Sequence, residues 1–418
     1  MIDKIYKQIC KFSYIYFFGA GNHGKIATKY FMLYCPSVTF NGVIVSELKN
    51  NPYHVLGLPV IDACSVKDKE NSVVLVAVSE KFQKEIVSYL IEAGFCNIIT
   101  MEDELINNMK RKKWNREESY PSKYKYYLRY VQPYIKIVTE TEKSKGNEKD
   151  AIRNVINEKI KDLYNESQLN IARLVVILGT KCSLQCKDCN ALIPYFTPQR
   201  DLNIDKIFNS LEKLLKLSSS ILKCELIGGE PFLSRNLSAV LEYLIKQPKI
   251  QNIEITTNGT MIPQSELITL LQNSKIEIRI SNYGKIVDQL KVTEFYRKNN
   301  IRFYVLKMES WISPGGVEKR NKNICDLHMQ YEKCPSGYIC KALFEDKLFS
   351  CVRSASLFEL GYMDEKDYIE MDSNLTVNRI KEFLIRDYSM ACDYCDQYIE
   401  ENRYIEPAIQ IKDMKRNY

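Results

Sequence analysis

The sequence predicts an α/β fold made of two regions in which strands and helices alternate, followed by a loop-rich tail carrying cysteines. Three observations carry this prediction. Apolar strand-like runs alternate with helix-period segments over residues 14–100 and again over 173–306. The regularity stops after Trp311. Most of the 14 cysteines lie between Cys182 and Cys395. At 418 residues the chain has room for about two or three domains. We place a first domain at 1–105, a linker with helices at 106–169, a core at 170–310 and a final region at 311–418.

Composition narrows the function classes. Hydrophobic residues make up 45% and charged residues 27%, which is globular rather than disordered usage. A net charge of +7 is mild for this length, so no nucleic-acid partner is expected. The longest apolar runs, such as SVVLVAV, fall short of a membrane span. The apolar stretch near the start runs into GAGNHGK instead of a small-residue cleavage site, so a cytoplasmic protein is expected. In a reducing compartment many cysteines argue for metal or redox chemistry over disulfides. Cys10, Cys35, Cys64 and Cys96, scattered singly, are expected to be small buried hydrophobes.

In the first region, residues 14–18 (YIYFF) read as a strand that ends at Gly19-Ala20-Gly21-Asn22-His23-Gly24, before a helix-period segment. Further strands are expected at 42–45, 58–61, 73–78 and 97–100, with a helix at 80–93. A GxGxxG turn between strand and helix is the context of dinucleotide binding, and Glu47 lies near the position of the usual acidic partner. Together with Gly57-Leu58-Pro59-Val60-Ile61-Asp62, this segment resembles the Rossmann-like domain attached to sugar-modifying acyltransferases and C-methyltransferases. The resemblance implies either nucleotide or nucleotide-sugar binding at Gly19, Gly21 and Gly24, with His23 as a phosphate contact, or a structural or docking role. The basic run 109–113 beside tyrosines reads as a solvated helix end or connector, with an anionic partner as the lesser alternative.

From Arg173 the pattern is regular: strand 174–178, a cysteine loop, helix 204–217, and strand 224–227. A helix near 238–246, strand 253–257, a helix near 264–271, strand 276–280, a helix near 287–298 and strand 302–306 follow. Repeated βα units imply a parallel sheet or partial barrel. Directly after the first strand stands Cys182-Ser-Leu-Gln-Cys186-Lys-Asp-Cys189. At this cysteine frequency one such spacing is expected by chance only about 0.015 times, so it is a signal. Three thiolates at the end of a parallel strand suit an iron–sulfur cluster, whereas a closed zinc site usually takes four ligands in paired form.

CxxxCxxC after the first strand of a βα barrel resembles the radical S-adenosylmethionine enzymes. Gly228-Gly229-Glu230-Pro231 is similar to that family's GGE motif, and Asn258-Gly259 and Ser281-Asn282 resemble its adenosine- and ribose-facing segments. The resemblance implies a partial (βα)6-type barrel. It also implies a [4Fe–4S] cluster on Cys182, Cys186 and Cys189 with one iron open to S-adenosylmethionine. Gly228, Gly229, Glu230, Asn258 and Ser281 would meet that cofactor. The family usually has an aromatic residue just before the third cysteine, where this chain has Asp188; Tyr195 or Phe196 would substitute.

In the final region, Cys340 and Cys351 bracket a hairpin-like KALFEDKLFS, and Cys392-Asp-Tyr-Cys395 follows an amphipathic segment at 377–385. This resembles the twitch or SPASM-type extension, which holds an auxiliary [4Fe–4S] cluster. It implies Cys340, Cys351, Cys392 and Cys395 as ligands, with Cys334 a competitor for the first place and zinc as the alternative metal. Cys325 and His328 form a CxxH pair expected to pack in a core.

The expectation is therefore an oxidoreductase that abstracts hydrogen from a sugar-like small molecule or polysaccharide precursor, with a flavodoxin or ferredoxin as electron donor. Maturation of a ribosomal peptide and a non-catalytic zinc scaffold are the alternatives. No residue is assigned as catalytic base or radical quencher; Arg353 and Glu230 are nearby polar candidates.

Overall fold

In the computed structural model the described residues are 2–115, 117–163, 165, 167–399 and 401–411. The chain divides into two compact units, Met1–Asn165 and Glu166–Tyr418.

The strands of the first unit are β1 (Tyr14–Phe18), β2 (Gly42–Val45), β3 (His54–Val55), β4 (Leu58–Asp62), β5 (Ser72–Val76) and β6 (Asn97–Thr100). They form one sheet in the order β3-β4-β2-β1-β5-β6, with β3 antiparallel to β4 and the rest parallel. Helices cover parallel sheets on both faces, so the central strands are buried throughout, as the unbroken apolar run of β5 requires. Tyr16, Phe18, Ile44, Val74, Val76, Leu90 and Phe95 pack one side of this core. The strand order reverses between β1 and β5, and the glycine turn sits at that point.

Residues 106–163, expected to connect the domains, are largely helical and belong to the first unit. Two features bind them there. Rings pass from Tyr34 to Trp114, Tyr120 and Tyr124 at centroid spacings of 5.5, 6.4 and 5.1 Å. Arg153, on the helix Lys149–Leu163, donates to the carbonyls of Leu48, Asn51, Pro52 and Val60. From the basic run, Lys112 lies 4.1 Å from the Tyr34 ring centroid, an intramolecular cation–π contact. Of the four scattered cysteines only Cys35 is buried, and Cys10, Cys64 and Cys96 are exposed. That corrects the sequence expectation: each of the three falls on the outward side of its segment, where hydrophobicity alone does not direct a small side chain inward.

The second unit contains β7 (Asn170–Ile177), β8 (Ser220–Ile227), β9 (Ile250–Thr257), β10 (Ile276–Asn282), β11 (Phe303–Lys307), β12 (Trp311–Ile312), β13 (Cys340–Phe344), β14 (Lys347–Phe349), β15 (Tyr368–Glu370) and β16 (Tyr404–Ile405). Eight strands form a mixed sheet in the order β11-β10-β9-β8-β7-β13-β14-β15, of which the first six run parallel. The alternation of side chains along a strand explains the burial pattern. Leu174, Val176, Cys224, Leu226, Ile253, Ile255, Ile278 and Ile280 are buried on one face. Arg173, Glu225, Glu254 and Arg279 occupy the other. The helix Ile204–Leu217 begins at Asn203, whose side chain accepts from the amides of Asp205 and Lys206 and so caps it. The segment expected as a helix at 264–271 is a 3-10 turn, Ser265–Leu267, followed by one helical turn, Ile268–Leu271. No helix of the described residues is long and apolar enough to cross a membrane.

Candidate active site

The cysteine loop is positioned by the strand end it follows and by the turn after β8. Leu178 donates its amide to Ile227 O at 2.8 Å, Gly229 to Gly179 O at 3.1 Å and Glu230 to Lys181 O at 2.7 Å. The second glycine is a steric necessity: a Cβ on Gly229 would come 2.3 Å from Lys181 O and 2.6 Å from Cys182 Cβ. The GGE turn thus faces the base of the cysteine loop at contact distance.

Glu230 fastens this turn to β9. Its carboxylate accepts from Thr257 Oγ1 at 2.8 Å, the Asn258 amide at 2.8 Å and the Phe232 amide at 3.2 Å. Burial still wins over these three donors and pushes the carboxyl up to about 7. Asn258 extends the chain of contacts to the loop itself, with Nδ2 at 3.1 Å from Ser183 Oγ and 3.7 Å from Cys182 Sγ. Ser281 is buried at the end of β10, and Gln289 Nε2 donates to its carbonyl at 2.7 Å.

The far side of the cysteine loop is closed by residues that sequence reasoning missed. Gln410 Oε1 accepts the Gln185 amide at 2.7 Å, and Gln410 Nε2 lies 3.4 Å from Cys186 Sγ. Two backbone bonds, Lys187 N to Ile409 O and Ile411 N to Gln185 O, complete the clasp. A polar pair 225 residues apart leaves no local pattern to read.

Burial raises all three thiols, Cys182 to about 12 and Cys186 to about 11, with Cys189 also above its ordinary value. Each thiol is therefore a protonated donor in the metal-free protein, and ligation must release its proton.

A cavity of about 570 Å³ opens beside the loop. Cys189, Gly228, Gly229, Asn258 and Ser281 line it, as do Cys340 and Cys351. The charged face of the sheet adds Arg173, Glu225, Thr256 and Arg279 to this lining. Arg173 meets Glu225 at 2.6 Å and Glu254 at 3.0 Å; Arg279 meets Glu225 at 2.8 Å; and Thr256 Oγ1 donates to Glu225 at 2.6 Å. Charged residues at alternate positions in otherwise apolar parallel strands were the available signal for this network. Tyr283 and Trp311 add an edge-to-face aromatic pair to the lining, with ring centroids 5.5 Å apart. Tyr195, a candidate to substitute for the family's aromatic residue, is exposed and packs edge-on against Tyr362.

The final region gathers four cysteines. Cys334 follows the helix Ile324–Lys333, Cys351 caps the helix Val352–Glu359 by accepting from Ser354 N at 3.4 Å, and Cys392 and Cys395 belong to the turn at Met390–Tyr394 and its end. All four line one small cavity. Burial raises Cys334 to about 12 and Cys351 to about 11; Cys392 and Cys395 are raised too, and the thiols act electrostatically on one another. Cys340 is not in this group. β13 pairs in parallel with β7, which sets Cys340 opposite Arg173, and its charged neighbours are Arg173, Glu225, Lys341 and Arg279. The first strand of the hairpin is absorbed into the main sheet, so Cys334, the competitor for the first ligand place, lines the cavity with the other three and Cys340 does not. His328 is buried and packs against Tyr388 at 5.1 Å. Among the described residues no group of three or more His, Cys, Asp and Glu side chains is arranged to hold a metal ion.

In the first unit the glycine turn is tight. Gly19 has φ +107°, and a Cβ on Gly24 would come 1.6 Å from Gly19 O. Around Gly21 a Cβ would meet nothing within 4 Å. His23 Nε2 lies 3.3 Å from Asp103 Oδ1, and Glu47 is exposed just past β2.

No protein-family model matches the chain. Two curated proteins named GTP 3',8-cyclase are similar to part of it. That of Syntrophomonas wolfei is 28% identical over 103 residues, or 24% of this chain. That of Clostridium acetobutylicum is 32% identical over 96 residues, or 23% of this chain. Each match spans 30% of the length of the curated relative. Among solved structures, BtrN in complex with AdoMet and 2-DOIA aligns over 56% of this chain and 98% of its own, at 14% identity and TM-score 0.38. The peptide-bound structure of anSMEcpe with AdoMet and Cp18Cys aligns over 34% of this chain and 44% of its own, at 18% identity and TM-score 0.28.

Proposed function

We propose that the chain is an oxidoreductase that removes a hydrogen atom from a sugar-like small molecule or polysaccharide precursor, with an auxiliary [4Fe–4S] centre relaying electrons. The observation that supports this best is the one cavity shared by Cys189, the Gly228-Gly229 turn, Cys351 and the charged face of the sheet. The donor set fits the groups implied. Three thiols, Cys186 buried and Cys182 and Cys189 half-buried, stand by a turn with no Cβ to obstruct a ligand, and four more line a second cavity. Cys182, Cys186 and Cys189 would hold the first cluster, and Cys334, Cys351, Cys392 and Cys395 the second. When bound, the first cluster and S-adenosylmethionine supply a 5′-deoxyadenosyl radical.

The chain's own residues then have distinct tasks. Gly228 and Gly229 admit the methionine end of the cofactor close to backbone, and Glu230 keeps that turn rigid against β9. Asn258 and Ser281 border the adenosyl side, with Tyr283 and Trp311 forming an aromatic wall that excludes water. Arg173, Glu225, Thr256 and Arg279 alternate hydrogen-bond donors and acceptors, which suits a neutral polyhydroxylated substrate better than an apolar one. The parallel sheet of the first unit supports the same reading over a leader-peptide substrate, since such maturases typically carry a winged helix. Of its three turn glycines, close packing accounts for Gly19 and Gly24 without a ligand, which favours a structural or docking role. A flavodoxin or ferredoxin would supply the first electron.

The test is anaerobic reconstitution with iron and sulfide counting, followed by incubation with S-adenosylmethionine and reductant. About eight irons per chain are expected, falling to about four when Cys182, Cys186 and Cys189 are all changed to Ala, with loss of 5′-deoxyadenosine formation. Deuterium from labelled amino-sugar candidates should appear in 5′-deoxyadenosine. Bound zinc in place of iron, or 5′-deoxyadenosine formation that survives the triple change, overturns the proposal.

A further inference from the structure

Arg353 is the largest fully buried side chain of the described residues, at 1% exposure, and it is paired with no carboxylate among them. Nε and Nη2 donate to Tyr394 O at 3.3 and 3.1 Å, and Nη2 also reaches Gly316 O at 2.5 Å and Gly315 O at 3.4 Å. The remaining nitrogen, Nη1, is buried with no partner. A buried cation held only by carbonyls, with one donor idle, is costly unless an anion sits beside it.

The surroundings indicate which anion. Arg353 lines the same small cavity as Cys334, Cys351, Cys392 and Cys395, and Asn190, the residue after Cys189, lines it too. Lys322 is a second cation nearby, but its Nζ is already committed to Cys392 O at 2.9 Å, Gln330 Oε1 at 3.0 Å and Cys395 O.

We propose that Arg353 is a positioning residue that stabilises the reduced state of the auxiliary centre, using its buried charge and the unpaired Nη1 hydrogens beside the cavity that the four cysteines line. The inference rests on the reading that Cys334, Cys351, Cys392 and Cys395 hold an iron–sulfur cluster. A thiolate-ligated cluster is anionic and gains one further negative charge on reduction. A fixed cation and a hydrogen bond to sulfur therefore favour the reduced form.

The experiment uses the full chain with Cys182, Cys186 and Cys189 changed to Ala, so that the auxiliary centre is the single paramagnet. Iron content and a redox titration followed by electron paramagnetic resonance are read for this parent and for Arg353→Met and Arg353→Lys. Arg353→Met should keep its iron and titrate at a more negative potential, with the reduced-to-oxidised ratio at a fixed potential falling roughly tenfold. Arg353→Lys should remain near the parent. A loaded Arg353→Met with the parent's potential overturns the inference. If Arg353→Met loses iron, Arg353→Lys decides: loaded and near the parent's potential it supports the inference, loaded but shifted as far as expected for Arg353→Met it overturns it, and loss of iron in both variants overturns it in favour of a purely structural clamp on the Tyr394 and Gly316 carbonyls. A parent without iron refutes the cluster reading itself, which separates the two failures.

Discussion

Both parallel sheets end a central strand in a glycine turn, yet the two turns serve different ends. In the first unit Gly24 packs onto the turn's own first residue, at a spacing no side chain tolerates, so the glycines seat the helix Asn22–Tyr34 against β1. In the second unit Gly229 packs onto Lys181 and Cys182, and the glycine brings a distant reactive loop to the end of β8. A glycine pattern reports a close backbone approach. What is approached decides whether that proximity becomes chemistry.

The comparison would break most visibly through the thiols. Cys334→Ala is expected to remove the auxiliary iron, about half of the total, whereas Cys340→Ala should leave iron content intact because that thiol faces Arg173 and Glu225. Iron analysis of the two reconstituted variants checks this, and the reverse result would restore Cys340 as the ligand.

A smaller effect sharpens the contrast between the turns. Gly229→Ala must displace Lys181 or the Cys182 loop, and a shift of about 1 Å is expected to lower 5′-deoxyadenosine formation roughly 100-fold. Gly24→Ala should lower the melting temperature of the first unit and leave iron content unchanged. Equal loss of iron in both variants would erase the distinction.

The smallest effect is one of pH. Glu230 is held at about 7 in the folded chain against an ordinary value of 4.5, so the folded state binds its proton more tightly. Its contribution to stability is full below about pH 4.5 and is lost as the pH rises through 7, a change of about 3 kcal/mol at most. Glu230→Gln should flatten that limb of the stability–pH curve, as measured by denaturant unfolding between pH 4.5 and 8. An unchanged slope would show that Glu230 does not carry it.

Legibility in the sequence followed the range of the interaction. The strands at 14–18, 42–45 and 97–100 and the helix Ile204–Leu217 are recovered from periodicity, because side-chain alternation and the apolar stripe are local properties. The triad and the GGE turn were legible for a related reason: eight and three consecutive residues carry them. Tyr283, Trp311 and Gln410 were not, since each reaches the site from its own segment. That Cys340 lies outside the cavity lined by Cys351 was not legible either, because a hairpin pattern places two cysteines at one end without saying which neighbouring strand captures the first of them.

By itself the sequence determined that thiols would cluster after a parallel strand beside a glycine turn, since spacing and backbone sterics act over a few residues. Only the tertiary structure decided that Cys334 joins Cys351, Cys392 and Cys395 around one cavity, that Arg353 is buried beside it, and that charged side chains from three strands line another. Those outcomes depend on strand pairing and desolvation across the whole unit, and neither quantity has a local signature.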